Sequence, residues 1–478
     1  MSKKTVLFYL LSLTIIFFIG CEEEKKDPET IAELTLKMSV NSCEGCHTNY
    51  EHLKTVHTPD PPSTEAAGCG GEAPHFEPYD RVFLGGDGFT QFKSGIHGKL
   101  DCVACHNGVD GTDDKVLAHS DNFITHPSLV PEEKCASCHP DIVQRTQNSI
   151  HREGSGQKSM VSQRYGAGNG LDAFESLPHD LKEGYDANCA KCHGTCGDCH
   201  IVRPKAGGGG LKSGHAFIRT PDMVNTCVTC HVSRGGHAYL GVASGTVPDV
   251  HLTKAGYNCL DCHSQNEVHG DGKYVDQRYK MSLKPECEDC HSNLEEANNY
   301  HKTHLSTFNC QTCHSQDYNN CGSCHIPGLP EEGALAKVSG GVGARIASYQ
   351  GFKIGMNPLK TTSKPQYKMA LLRRSLSAPD SWSGYGVENL SNFDVAPTFK
   401  YTTPHNIIKW TTRTGFKNDE GNWEGYAKCY DGCHIIAEGD SLRNKGLYLF
   451  NEDLEDWELN ADKDIVVDGK LPAWWGVN

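Results

Sequence analysis

Hydrophobic positions along this 478-residue chain are sparse, and few stretches carry them in a regular period. The one long apolar run, Val6 to Gly20, follows Lys3 and Lys4 and stops at Cys21. It is shorter than the ~20 residues of a comfortable membrane span and has the form of an export signal. No later segment reads as a transmembrane helix. Short helices are expected at Pro28 to Met38, with Asp27 as N-cap and Pro28 at N1, and at Asn293 to Leu305. Alternation in Phe399-Lys400-Tyr401-Thr402 and Ile407-Ile408-Lys409-Trp410 predicts strands towards the C-terminus, and Gly207 to Gly210 is a loop.

Composition sharpens that picture. Hydrophobic residues make up 37% of the chain and glycine contributes 50 residues, too little apolar surface and too many breakers for long elements. The expected fold is mostly irregular coil with short α-helices and little β structure, a few strands lying in the C-terminal tail. All six tryptophans fall in that tail, at Trp382, Trp410, Trp423, Trp457, Trp474 and Trp475. It is expected to pack as a subdomain of its own, the alternative being an extended wrap over the rest.

The candidate chemistry is a repeated five-residue motif. Cys-x-x-Cys-His occurs at Cys43, Cys46 and His47; Cys102, Cys105 and His106; Cys135, Cys138 and His139; Cys189, Cys192 and His193; and Cys196, Cys199 and His200. It returns at Cys227, Cys230 and His231; Cys259, Cys262 and His263; Cys287, Cys290 and His291; Cys310, Cys313 and His314; and Cys321, Cys324 and His325. A stretched copy, with three residues between the cysteines, stands at Cys429, Cys433 and His434. These eleven are numbered sites 1 to 11 in chain order. Zinc ribbons, disulfides and redox dithiols also use paired cysteines, but none requires a following histidine. Histidine would follow by chance about one time in eighteen, yet it follows all ten regular pairs.

That pattern is the attachment signature of covalent haem c. On one helical turn the two cysteines and the histidine share a face, so two thioethers and one axial imidazole come from a single short segment. In the stretched copy the first cysteine is turned by about one helical step of ~100°, and a Cys429–Cys433 disulfide is the alternative to haem there. Ten or eleven copies of haem c are therefore expected. At such density the cofactor's apolar faces would replace much of a conventional core.

The cysteine count agrees, since only Cys21 and Cys69 of the 24 lie outside the motifs. Haem c is attached outside the cytoplasm, which matches the export signal. The segment ending Phe18-Ile19-Gly20-Cys21 resembles a bacterial lipoprotein signal, with Phe18 where leucine is usual. The resemblance implies lipidation at Cys21; an ordinary signal peptide or an uncleaved anchor is the alternative. The expected organisation is a signal at 1–20, an acidic tether at 21–40, a dense multihaem region at 41–330 and a haem-poor tail at 331–478. A formal net charge of -15 argues against nucleic acid as a partner.

Fifteen histidines lie outside the motifs, enough to give every iron a second imidazole and close it to substrate. Six stand shortly before a motif: His97, His126, His179, His215, His251 and His304. These are the first candidates for distal ligands, not necessarily of the motif that follows, with His57, His151, His237, His269 and His405 behind them; His52 and His75 are the expected spares. Through its motifs across residues 43 to 325 the chain resembles the multihaem c-type cytochromes of anaerobic respiration and extracellular electron transfer. The resemblance implies an outer-membrane lipoprotein, periplasmic or at the cell surface, that carries electrons between envelope redox partners or to an external acceptor. The alternatives are a reductase of a nitrogen or sulfur oxyanion with one open or lysine-ligated haem, and a conductive filament formed by self-association.

Overall fold

The computed structural model describes residues 40–61, 75–318 and 352–477, apart from short gaps at 233–234, 243–245, 360–366, 375–378, 380–381, 383–384 and 426–428. Cys21, Cys69, the Pro28 to Met38 segment and all of site 10 (Cys321, Cys324, His325) lie outside the described residues. Helices are short, as the composition leads one to expect, and the longest described one, Ser155–Tyr165, has 11 residues. Helices of this length are not stable alone in water, so caps and tertiary contacts must hold them.

The caps are local and polar. Ser42 accepts the Gly45 amide at the start of Cys43–Thr48, while Thr195 with Asp198, and Asn258 with Asp261, form reciprocal capping boxes at Cys196–His200 and Cys259–Cys262. The motif does not impose one uniform turn, however. Ala190–Cys192 and Cys287–Asp289 are 3-10 turns, and Met223–Val228 has π-helical bonding. The helix expected over Asn293 to Leu305 is also divided, into Leu294–Ala297 and Asn299–His304. Asn298 is fully extended there, and its side chain accepts the amides of Tyr300 and His301, so it starts a second helix.

Every strand among the described residues lies in the tail. β1 (Lys353–Met356), β2 (Met369–Arg374) and β3 (Phe399–Tyr401) form an antiparallel sheet in the order β1-β2-β3. Ile354 is paired with Leu371, and Leu372 with Tyr401. The pairs β4 (Gly415–Lys417) with β5 (Trp423–Gly425), and β6 (Ile436–Glu438) with β7 (Ser441–Arg443), are separate two-stranded ribbons. β2 reads as a continuous apolar run because both its faces are covered. Met369 and Leu371 face a cluster with Ile435, Tyr448, Val467 and Trp475, and Ala370 and Leu372 face one with Phe399, Leu449 and Ile465.

The expected strand at Ile407 to Trp410 instead makes a single bridge to Ser315, with the Ile408 amide donating to His314 O at 2.9 Å. It thereby clamps site 9 rather than extending a sheet. Two buried arginines fasten tail and motif region together. Arg164 donates to the carbonyls of Phe393, Ala396 and Pro397 at 2.7–3.0 Å. Arg413 donates to Thr312 O, Ser315 O and Asp317 Oδ2 at 2.5–2.6 Å, holding the C-terminal end of the site 9 helix, Cys310–His314. No helix among the described residues is long and apolar enough to cross a membrane.

Candidate haem-ligand sites

Nine motif histidines each stand opposite one histidine from elsewhere in the chain. The pairs are His47–His119, His106–His215, His139–His97, His200–His269 and His231–His151, then His263–His405, His291–His251, His314–His301 and His434–His304. Their ring centroids are separated by 6.0–6.3 Å, while the interplanar angles range from 18° to 77°. Rings in direct contact lie nearer, as where Phe217 stacks on His97 at 4.0 Å. Two metal–imidazole bonds of ~2.0–2.1 Å plus the half-widths of two five-membered rings sum to roughly 6 Å. A constant separation with free rotation is what two axial ligands of one ion require.

The outer nitrogens support this arrangement. Nδ1 of His47, His106, His119, His151, His200, His301 and His304 each meets a main-chain carbonyl at 2.6–3.2 Å. A carbonyl can only accept, so Nδ1 carries the proton and Nε2 is left with its lone pair towards the opposite ring. Nδ1 of His251 and His263 meets carboxylates instead, of Asp249 and Glu267. His215, His269 and His434 leave Nδ1 buried with no bond among the described residues. Burial, with His106, His47 and His97 close by, pushes His215 down to about 4, which keeps it neutral and able to ligate at ordinary pH.

One connected cavity of about 4300 Å³ runs past residues of all ten described motifs. A single small-molecule site occupies ~300–1,000 Å³, so this space suits an array of large cofactors. The donor set, the ring separations and the cavity fit haem c at nine sites. Site 11 is among them: Cys429–Cys433 form a helix, and His434 stands opposite His304.

Site 4 differs. His193 has no histidine opposite it among the described residues, and its Nε2 is bonded to Tyr185 Oη at 2.8 Å and Gln157 Oε1 at 3.0 Å. A Cβ at Gly154 would come within 2.0 Å of that nitrogen, and Gly154 has φ +59°, so glycine is required there on both counts. Burial lowers His193, and the Lys158 ammonium adds to that. The atom that a haem iron would take at the other sites is here held by a phenol and an amide.

The nine paired sites touch in sequence. Phe123 packs on His119 of site 1 and His106 of site 2; Phe217 packs on His215 of site 2 and His97 of site 3. Ser128, ahead of motif 3, bonds Thr195, the cap of motif 5, at 2.9 Å. His151 of site 6 meets the carbonyl of Val268, the residue before His269 of site 5. The side chains of Cys227 and Cys259, at sites 6 and 7, are close neighbours. Asp249 bonds His251 of site 8 and the Ile407 amide, two residues beyond His405 of site 7. The sulfurs of Cys287 and Cys310, at sites 8 and 9, lie within 4.8 Å. His301 and His304, on the helix Asn299–His304, supply sites 9 and 11. Site 4 lies at the side, where Cys192 is a close neighbour of Cys230 of site 6.

Among the histidines singled out from sequence, His97, His151, His215, His251, His269, His304 and His405 stand opposite motif imidazoles; His57, His126, His179 and His237 do not, among the described residues. His57 bonds Lys54 O and packs on Tyr79. His179 opens the helix His179–Asn188 with its side chain 87% exposed beside Asp180. His126 is exposed, and His237 sits on the short helix Gly236–Tyr239. His119 and His301 fill the role too: His119 stands 16 residues before Cys135, farther than the expected candidates, whereas His301 stands nine before Cys310, as near as His126 is to Cys135, and shares its helix with the expected His304. Their signal is local: each lies four or seven residues beyond the carbonyl that orients it, Lys115 O or Leu294 O.

No family model matches the chain, and no curated protein does. A solved structure, the octaheme cytochrome c from Shewanella oneidensis, aligns at 15% identity over 48% of this chain and 62% of that one, with a TM-score of 0.27. The match thus spans under two thirds of that protein, and a score so low does not establish a common fold.

Proposed function

We propose that the chain is a multihaem c-type cytochrome that relays electrons. The observation that carries this reading is the set of nine imidazole pairs at 6.0–6.3 Å, each with a Cys-x-x-Cys-His or stretched-motif histidine as one member. Haem c, when bound, supplies reversible one-electron chemistry at iron. The chain's residues do the rest: paired imidazoles leave no position for substrate at those nine sites, and the contacts between successive sites keep them close, where tunnelling is fast. The order of contact is 1, 2, 3, 5, 6, 7, 8, 9, 11, with site 4 beside site 6. Lipidation at Cys21, attachment to an envelope membrane and redox partner proteins of the envelope belong to the same proposal, on the strength of the N-terminal signal.

Mass spectrometry and a haem assay on purified protein test the reading. Ten or eleven covalent haems per chain are expected, and four or fewer would sink it. A second reading is favoured by site 4, where a phenol and an amide bond the motif imidazole directly and no second histidine faces it among the described residues. There the relay would feed a reductase of a nitrogen or sulfur oxyanion. A high-spin signal or cyanide binding at one haem, altered by Tyr185→Phe, supports that reading; uniformly six-coordinate iron removes it.

A further inference from the structure

Seven ligand imidazoles are oriented by main-chain carbonyls, but two are oriented by carboxylates, and these two belong to adjoining sites. Asp249 Oδ1 accepts from both the amide and Nδ1 of His251, each at 2.8 Å, and Oδ2 accepts the Ile407 amide at 2.6 Å. The carboxylate is 2% exposed, so its charge is little screened by water. One carboxyl group thereby orients a ligand of site 8 and anchors the segment carrying His405 of site 7. Glu267, on the helix Gln265–His269, meets His263 Nδ1 with its two oxygens at 2.9 and 3.1 Å. Its side chain is 11% exposed.

An imidazole that donates Nδ1–H to a carboxylate gains electron density at Nε2 and becomes a stronger donor to metal. A stronger donor and a nearby fixed anion both favour the more positive, oxidised iron. A carbonyl partner does this less, because it carries no net charge.

We propose that Asp249 and Glu267 are positioning residues that set the redox potentials of sites 8 and 7 below those of sites 6 and 9. An electron crossing between sites 6 and 9 in the order of contact then climbs through this pair. Each crossing moves one electron, oxidising one site and reducing the next, and neither carboxylate makes or breaks a bond. Sites 1, 2, 3, 5 and 6 form one pool and sites 9 and 11 another, with the uphill pair metering flow between them. The proposal rests on haem being bound as described above.

Potentiometric titration of the full-length holoprotein, followed site by site by low-temperature EPR, tests it. Asp249→Asn and Glu267→Gln keep the shape of each side chain and remove its charge. Each is expected to move one haem of the lowest-potential pair to more positive potential and to change that haem's g-anisotropy, while the other sites hold. Asp271→Asn controls for bulk charge, since that exposed carboxylate bonds the Lys273 amide at 3.0 Å rather than a ligand. Unchanged potentials with a full haem complement overturn the proposal, as does an equal shift in Asp271→Asn. If Asp249→Asn loses a haem, Glu267→Gln decides alone. A wild-type protein without haem at motifs 7 and 8 instead defeats the underlying reading, which the haem count detects separately.

Discussion

Thr398 has one hydroxyl proton and stands between two buried carboxyl groups. Its Oγ1 lies 2.6 Å from Glu458 Oε1 and 2.5 Å from Asp462 Oδ2, and both acids are fully buried. One hydroxyl cannot donate to both, so one carboxyl must carry a proton and donate back. The other oxygens are already committed as acceptors, Glu458 Oε2 to Arg374 and Asp462 Oδ1 to the amides of Thr398 and Phe399. Burial pushes both acids above their ordinary values of 4.5 and 3.8. A raised carboxyl means that the folded state holds more protons than the unfolded one, so its stabilising contribution is full below those values and is lost as pH rises through the folded value. Asp462→Asn supplies a permanent donor to Thr398 and keeps the acceptor for the two amides. Unfolding titrations should therefore show the variant gaining on the wild type from about pH 4 towards neutral, and a parallel pH dependence would refute the shared proton.

Elements in this chain are set less by propensity than by what grips their ends. The site 9 helix, Cys310–His314, ends against Arg413, which is 2% exposed and 98 to 101 residues away along the chain from the carbonyls it satisfies. Gly432 of the stretched motif packs on the same strap, where a Cβ would meet Arg413 O at 2.9 Å and Thr412 O at 3.0 Å. Arg413→Met should cost about 3–5 kcal/mol, because it leaves buried carbonyls and part of a charge pair unsatisfied. Denaturant unfolding measures the loss, and limited proteolysis should find cleavage near sites 9 and 11 first. In β2, Leu371→Ala removes a fully buried side chain and should cost about 2–5 kcal/mol. β3 is legible from its alternation, whereas the similar pattern at Ile407 to Trp410 is not a sheet strand. There Asp249 holds the Ile407 amide and site 9 takes the next one, a competition between distant groups that local alternation cannot register.

Across the whole molecule, buried apolar side chains concentrate in three clusters built largely from residues 352–477 and the helices around Phe174 and Leu181. The motif region is organised around its imidazole pairs instead. In the oxidised holoprotein, EPR should therefore find nine or more low-spin haems, with His301→Ala and His304→Ala each converting one of them to a high-spin or ligand-exchanged form. Conversion at more than one haem per variant would break the pairing given above. The motifs, the scarcity of long elements and the surplus of histidines all follow from covalent spacing and composition, which need no folded chain to be read. The assignment of one imidazole to another does not. His97 precedes motif 2 but faces His139, and His215 precedes motif 6 but faces His106. Sequence alone determined the ten regular motifs, the stretched copy and the surplus of histidines on which the proposed haem array rests. Tertiary structure decided which histidines meet, that site 4 stands apart, and that two carboxylates lie behind adjoining ligands, because each depends on segments far apart in the chain being brought within a few ångströms.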